Sequence, residues 1–319
     1  MVDERNDLLK PMSTTEILDN TFKIYGRNFL TVLIFSAVIG GIYTLVTYLV
    51  SVQMMPVPQD TWTQILENPD GVPQFGPESI TEMLPKIFAF QGAMFLLAII
   101  NGVFIQPFIQ GGIINLTYKD IIGHRLSIGE GIRDTLGKFW KLILTSLSLI
   151  PYYIGVGIVM IILAVVLLIP LIVSGVAMSN DPTGGRVAGF IVMMILTVAL
   201  LIILAILSGL FIIFTYQGAV IEGNYGFAGI GRSFKLVSKR FWRVLGVSLV
   251  IFLIFAIISG ILAFISAITS LLSPSPLMAE FGIGFVITAF IAPIIHIATT
   301  LLFIDVKARA EGIQGDIVV

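Results

Sequence analysis

Six long runs without a charged residue constrain this chain more than any other feature of its sequence. They lie at approximately 29–52, 87–116, 142–177, 187–221, 244–272 and 281–304. A helix needs roughly 20 mostly apolar residues to cross the hydrocarbon core of a bilayer. The runs are uniformly apolar and lack two-residue alternation, which favours helices over barrel strands. The sequence therefore predicts an all-α integral membrane protein with six transmembrane helices.

The positions of the basic residues predict the orientation of these helices, because cytoplasmic segments are enriched in Lys and Arg. All but two of the 18 Lys and Arg, Lys86 and Arg186, fall in the N-terminal arm, the second and fourth connections and the tail. We therefore expect both termini in the cytoplasm and the first run retained as a span rather than cleaved as a signal peptide. The opposite side is acidic, with Asp60, Glu67, Asp70, Glu78, Glu82, Asp181 and Glu280.

A short pattern recurs and predicts three tandem repeats. Ser13 and Glu16 form an S-x-x-E capping pair ahead of the first run, and Ser127 and Glu130 repeat it ahead of the third. Apolar residues spaced i, i+4, i+7 and i+11 follow at positions 18–29, less regularly at 128–139, and again at 230–241. These segments are predicted to be amphipathic helices at the membrane surface, with their apolar faces in the headgroup region.

The predicted organisation is a cytoplasmic arm (1–11), three repeats and a cytoplasmic tail (311–319). Each repeat is a surface helix followed by a helical hairpin, and the repeats cover 12–122, 123–223 and 224–310. Repeat 1 includes an acidic external loop at 53–85. The third run is longer than a crossing requires and contains Pro170 near its end, which predicts a kink, a tilt or an outward projection. Parallel repeats of this kind predict a pseudo-threefold bundle.

Polar residues at matching positions of the returning spans form a candidate intramembrane layer. Aligning "FIQPFIQGGIIN", "FIIFTYQGAVIE" and "FIAPIIHIATTL" brings Gln110, Gln217 and His296 into register. Polar groups inside a bilayer are often functional, but they also serve as hydrogen-bonding contacts between helices. The layer is therefore either a packing device or part of a polar pathway or ligand site.

Two further sets are candidate sites on the cytoplasmic side. The stretch "RSFKLVSKRFWRVL" predicts a lipid or partner interface formed by Phe234, Lys235, Lys239, Arg240 and Trp242. Topology and anchoring alone also require basic and aromatic residues there. At the other end of the chain, Asp305, Lys307 and Arg309 form a candidate cytoplasmic cluster. Asn115, Glu222 and Asp305 are expected to pair with nearby cations such as Lys119 or Lys307, either as solvated interfacial charges or as a gate.

The sequence predicts no catalytic, cofactor-binding or metal site. The only histidines are His124 and His296, and the chain has no cysteine. None of the H-E-x-x-H, G-x-S-x-G or G-x-x-x-x-G-K-[ST] motifs occurs. No run contains a carboxylate that could act as a base. An enzyme is therefore not expected.

The opening "MSTTEILDNTFKIYGRNFL" resembles the start of the glycerophosphoryl diester phosphodiesterase membrane-domain family. "RSFKLVSKRFWRVL" and "TTLLFIDVKARAEG" are similar to its second basic-aromatic element and its terminal cluster. The resemblance covers most of the chain from residue 12 to 312. It implies a multi-pass protein of the bacterial cytoplasmic membrane, without the catalytic domain that is fused to some members.

Two functions follow from these observations as expectations. The first is a non-enzymatic membrane protein that organises, senses or supports lipids or partner membrane proteins. Its partners would be membrane lipids with anionic headgroups and membrane proteins, with no nucleic acid and no cofactor. The alternative is a transporter or channel that moves a small amphiphile or an ion through the helical bundle.

Overall fold

The fold of the described residues is helical, with no strand among them. A computed structural model describes residues 9–54, 77–180, 184–272 and 276–312. Its helices in chain order are α1 Thr14–Arg27, α2 Phe29–Met54, α3 Pro77–Ile100, α4 Gln106–Ile121, α5 Ile128–Gly137, α6 Phe139–Asn180, α7 Gly184–Phe211, α8 Thr215–Glu222, α9 Phe227–Lys239, α10 Phe241–Leu272, α11 Pro276–Val286 and α12 Ala292–Glu311.

Within the described residues, six stretches are long and apolar enough to cross a membrane. They are Phe29–Met54, Thr81–Ile121, Phe139–Pro170, Val187–Glu222, Phe241–Thr269 and Phe281–Glu311. Each overlaps one of the six uncharged runs. The predictions of a helical fold and of six segments able to span a membrane are therefore confirmed.

Three short helices, α1, α5 and α9, precede the first, third and fifth spans. The capping boxes predicted at Ser13 and Ser127 are both present. Each serine hydroxyl accepts from the backbone N–H of the glutamate three residues on, and each glutamate carboxylate accepts from the backbone N–H of the serine. Helix α9 begins after Gly226 without a side-chain cap. The S-x-x-E pattern thus sets the first two of these helix starts, as the sequence indicates.

The returning second, fourth and sixth spans are all interrupted, at positions that correspond closely when their sequences are aligned. In the second and sixth, a five-residue π-helical segment, Asn101–Ile105 or Ile287–Ile291, precedes Pro107 or Pro293. Proline lacks the N–H of a regular helix and clashes with the preceding turn, so the wider π segment absorbs the break. The fourth span has no proline there and instead makes a turn at 212–214.

The three short helices pack against the ends of the returning spans, at what we call the basic end of the bundle. Helix α1 lies against α12, α5 against α4, and α9 against α8. Helix α4 in turn packs against both α8 and α12. Most of the fully buried large side chains lie in these elements, including Ile17, Phe303 and Leu236. The well-packed core of the protein is therefore at the basic end.

Away from the basic end the helices are much more exposed. Helix α6 has 42 residues and so extends about 63 Å, roughly twice the hydrocarbon thickness. It runs through Pro151 and Pro170 as one helix and packs along α7, while many apolar side chains of both helices are exposed. The excess length predicted for the third run is therefore present in the structure.

Two expectations need correction. Helix α2 continues to Met54 and α3 begins at Pro77, so both ends of the predicted 53–85 loop are helical. Its residues 55–76, with Asp60, Glu67 and Asp70, lie outside the described residues. The apolar stripe of α9 faces the bundle rather than the headgroup region, because Ile230 and Val237 are buried where they cover the ends of neighbouring spans.

Candidate functional site at the basic end

Near the end of each returning span lies a largely buried carboxylate that is held by two cations. These are Asp120 in α4, Glu222 in α8 and Asp305 in α12, with side chains 4%, 12% and 0% exposed. A buried charge is tolerated only when it is paired and hydrogen-bonded. The three carboxylates are therefore the positions at which the basic end is held together by charge.

Asp305 joins the start of the described chain to its end. It accepts hydrogen bonds from the Met12 backbone N–H at 2.8 Å, Arg243 Nε at 2.9 Å and Arg309 Nε at 2.7 Å. Both arginines also donate to the Met12 carbonyl, each at 2.7 Å. The segment that leads into α1 is thus clamped between α10 and α12 at a carboxylate with no access to solvent.

Glu222 connects the fourth span to α9 and α12. Arg232 Nη2 donates to Glu222 Oε1 at 2.7 Å, and Lys307 Nζ lies 2.8 Å from the same oxygen. Arg232 also grips Glu311, with Nη2 to Oε2 at 2.8 Å. Hydrogen bonds from Arg232 to Glu311 and then to Glu222 raise the pKa of the Arg232 guanidinium above its ordinary value.

Asp120 connects the second span to the end of α1. Arg27 donates to Asp120 Oδ2 through Nε at 3.0 Å and also through Nη2. Arg125 approaches the other oxygen at 3.9 Å and donates to the Arg27 carbonyl at 2.5 Å. These contacts tie α1, α4 and the connection after α4 into one unit.

A fourth polar contact attaches α5 to α4. Asn115 Nδ2 donates to Asp134 Oδ2 at 2.7 Å, and Lys138 Nζ reaches both Asn115 Oδ1 at 3.0 Å and Asp134 at 3.4 Å. Burial raises the pKa of Asp134, but the Asn115 hydrogen bond and the Lys138 charge outweigh it, so the net pKa lies below its ordinary value.

The predicted intramembrane layer is only partly assembled. Gln217 is fully buried and donates from Nε2 to Thr299 Oγ1 at 3.1 Å, which links the fourth and sixth spans. Its Oε1 has no partner among the described residues. Gln110 and His296 are partly buried and have no side-chain hydrogen bond within the described part of the chain. Beside Gln217, Phe214 and Phe303 pack edge to face at 5.6 Å and are fully buried.

The predicted lipid or partner interface divides into two groups. Lys235, Lys239 and Trp242 are exposed, with 80% of Trp242 accessible. Phe234 is exposed at its edge but stacks on Phe211 of the fourth span at 4.9 Å. Arg240 is also exposed and donates to the Arg309 carbonyl at 2.6 Å. Lys235, Lys239 and Trp242 therefore form the outward surface, which we call the basic collar, while Phe234 and Arg240 also contact the bundle.

The predicted cytoplasmic cluster is also divided. Asp305 pairs with Arg309, whereas Lys307 pairs with Glu222, as one of the expected pairings had it. Sequence reasoning missed Asp120, Arg27, Arg232 and Arg243 as members of this site. A usable signal was present, because a carboxylate lies near the end of every returning span. No comparable sequence signal shows which arginine pairs with each carboxylate.

Comparison with known proteins places this chain in a family. A profile described as a domain of unknown function (DUF7847) matches residues 91–307, more than half of the chain. The chain belongs to this family. No curated protein and no solved structure matches it. The matched range includes Asp120, Glu222 and Asp305, but not Met12 or Arg27.

Proposed function

We propose that this protein is a non-enzymatic, multi-pass protein of the bacterial cytoplasmic membrane that organises anionic lipids and partner membrane proteins. The observation that carries the proposal is that the charged residues fall into two groups, one buried and paired and the other exposed. The buried carboxylates and their cations hold the helices together, while the basic collar of Lys235, Lys239 and Trp242 faces outward. Exposed cations beside an interfacial tryptophan suit a membrane surface rich in anionic lipid.

Both termini would lie in the cytoplasm. This topology is supported by the confinement of nearly all Lys and Arg to one end of the bundle. Single-cysteine labelling tests it cleanly, since the chain has no native cysteine. In intact cells, an impermeant maleimide should modify Ala188→Cys, while Gly231→Cys should react only after permeabilisation. The reverse pattern would invert the topology.

The chain would also be a threefold duplication. In support, each short helix packs on the returning span of the preceding unit in a cyclic order, α5 on α4, α9 on α8 and α1 on α12. The returning spans are also interrupted at aligned positions. Kinship with the glycerophosphoryl diester phosphodiesterase membrane domain stays part of the proposal. Its opening motif precedes the residues that the family profile covers.

Fluorescence quenching by brominated lipids tests the lipid preference at the basic collar. Replacing Trp62 and Trp140 by Phe leaves Trp242 as the reporter. Brominated phosphatidylglycerol should then quench Trp242 more strongly than brominated phosphatidylcholine at equal content. Lys235→Glu with Lys239→Glu should remove the difference, and Arg133→Glu on α5 is a charge control that should keep it. Equal quenching by the two lipids in the reporter protein would rule out the preference.

Transport of a small amphiphile or ion is the second candidate. The unpaired Oε1 of buried Gln217 favours it, because a fully buried amide normally satisfies both of its polar atoms. Leu substitution at Gln110, Gln217 and His296 separates the two functions. Loss of flux in reconstituted vesicles with unchanged thermal stability would support transport, and an unchanged flux would eliminate it.

A further inference from the structure

A lateral groove opens between the fourth and fifth spans and is closed behind by the sixth. Its cavity volume is about 370 Å³, and its walls are almost entirely apolar. The walls include Ile206, Gly209, Ile213, Leu249, Phe252 and Ile295. Toward the basic end, Phe211 and Phe241 stack across the two spans at 6.2 Å. An occupant therefore enters from the side, at the level of the hydrocarbon.

Two polar side chains interrupt this apolar lining. Ser248 lies in the wall, and its buried Oγ has no partner among the described residues. Thr299 lies at the back and accepts the hydrogen bond from Gln217. A hydroxyl left unpaired in hydrocarbon is costly, because no water is present to satisfy it. The groove thus favours an occupant with an apolar chain and a polar atom at the depth of Ser248.

A second apolar cavity, between the third and fourth spans, lacks this feature. It has a volume of about 550 Å³ and contains Tyr152 and Ser208 in its wall. Tyr152 donates to the Ser208 carbonyl at 2.7 Å, and Ser208 donates to the Ala205 carbonyl at 2.8 Å. Both hydroxyls are satisfied, so bulk acyl chains are sufficient to fill this cavity.

The depth of the groove matches that of one membrane leaflet. Ser248 lies six residues beyond Trp242 in α10, about 9 Å along the helix axis. Tryptophan prefers the interface, and the headgroup region of a leaflet is roughly 5 to 8 Å thick. A phospholipid with its phosphate at the level of Trp242 therefore has its ester carbonyls near Ser248. Leu245, Leu249 and Phe252 continue on the face of Trp242 into the hydrocarbon.

We infer that this groove binds one acyl chain of an anionic glycerophospholipid from the leaflet at the basic end. Rotation of the buried Ser248 hydroxyl toward the groove lets it donate to an ester carbonyl, the chain lies along Leu249 and Phe252, and the phosphate faces the exposed Lys239. Lys239 favours an anionic headgroup, and the groove holds the acyl chain more firmly than annular lipid is held. The site rests on the proposed lipid-organising function and assigns it a defined place.

Native mass spectrometry of protein extracted from vesicles of phosphatidylcholine and phosphatidylglycerol tests this site. Gly209→Leu fills the groove, because Gly209 is one of its lining residues. The backbone tolerates the change, since a Cβ at Gly209 meets no neighbouring atom within 4 Å. Gly246→Leu is the matched control, since its Cβ is equally free but lies outside the groove. The wild type and Gly246→Leu should retain one phosphatidylglycerol that Gly209→Leu loses. Equal retention by all three would overturn the site.

Two additions keep the outcome decisive. Ala205→Phe blocks the groove from another wall position, so a folding failure of Gly209→Leu does not end the test. Ser248→Ala should retain the lipid less tightly, and an unchanged retention would remove the role of its hydroxyl. Trp242 quenching in the Gly209→Leu protein distinguishes the two proposals. If the Gly209→Leu protein still prefers phosphatidylglycerol in the quenching assay and also retains the lipid, the groove site is refuted and the proposed function stands. If the reporter protein without Gly209→Leu shows no preference for phosphatidylglycerol, the proposed function itself is refuted.

Discussion

Replacing Asp305 by Asn tests the clamp at the basic end most directly. The carboxylate accepts from one backbone N–H and from two arginines, and its side chain is 0% exposed. An asparagine of the same shape keeps one acceptor oxygen, removes the negative charge and introduces donors that neither arginine can accept. Arg243 and Arg309 then face each other around the Met12 carbonyl without a counter-charge.

The expected loss of stability is about 3 kcal/mol. Removing one partner of a buried ion pair costs roughly 3 to 5 kcal/mol, and a hydrogen bond to a charged group contributes about 1.5 to 3 kcal/mol. The lower end applies here, because Arg243 and Arg309 are 24% and 35% exposed and can reach water once released. The Met12 segment should also loosen.

Titration with dodecyl sulfate in mixed micelles, followed by circular dichroism, measures the difference in unfolding free energy. Hydrogen exchange of the Met12 amide, whose N–H donates to Asp305, reports the release of the N-terminal segment. Asp19→Asn, on the exposed face of α1, is the matched control. A double-mutant cycle with Arg309→Gln should show coupling, since the two side chains are in contact. If Asp305→Asn changed stability by no more than about 0.5 kcal/mol, as surface substitutions do, the reasoning would fail.

Three further predictions follow from the same contacts. Gly229→Ala should destabilise the protein, because the new Cβ would lie 2.6 Å from the Asn224 carbonyl oxygen. Gly231→Ala should be neutral or stabilising, since its Cβ would have no atom within 4 Å. Thermal unfolding in detergent compares the two variants. Arg232→Gln should cost more stability than Arg125→Gln, since the Arg232 side chain is largely buried between two carboxylates, whereas that of Arg125 is exposed and lies 3.9 Å from its carboxylate, Asp120. Folding lowers the pKa of Asp134, so its contribution to the free energy of unfolding should be present above about pH 4 and decrease as the pH falls through the folded pKa. Asp134→Asn should remove this part of the pH dependence when stability is measured as a function of pH.

Much of the fold could be predicted because it depends on local composition. Uncharged runs require spans, and the serine and glutamate of a capping box lie three residues apart, so their contact forms with the helix itself. The candidate site was predicted less completely. That Lys307 would pair with Glu222 was one expectation among several, and the Gln217 layer was identified without its partner Thr299.

The partners of the buried carboxylates could not be read in the same way. Asp305 lies 62 residues from Arg243 and 293 residues from Met12, and no spacing rule connects such positions. Similarly, the helical period of α9 identifies an apolar face but does not say whether lipid or protein covers it. The structure buries Leu236 and Val237 against neighbouring spans and leaves Lys235 and Trp242 outside.

The sequence by itself determined that the chain is helical, where it can cross a bilayer and where its first two short helices begin. These properties follow from the solvation of backbone and side chains along contiguous segments. Only the tertiary structure decided which charges neutralise one another, which face of α9 is buried and where a groove remains open between spans. Those outcomes depend on distances between segments far apart in the chain, and packing alone sets these distances.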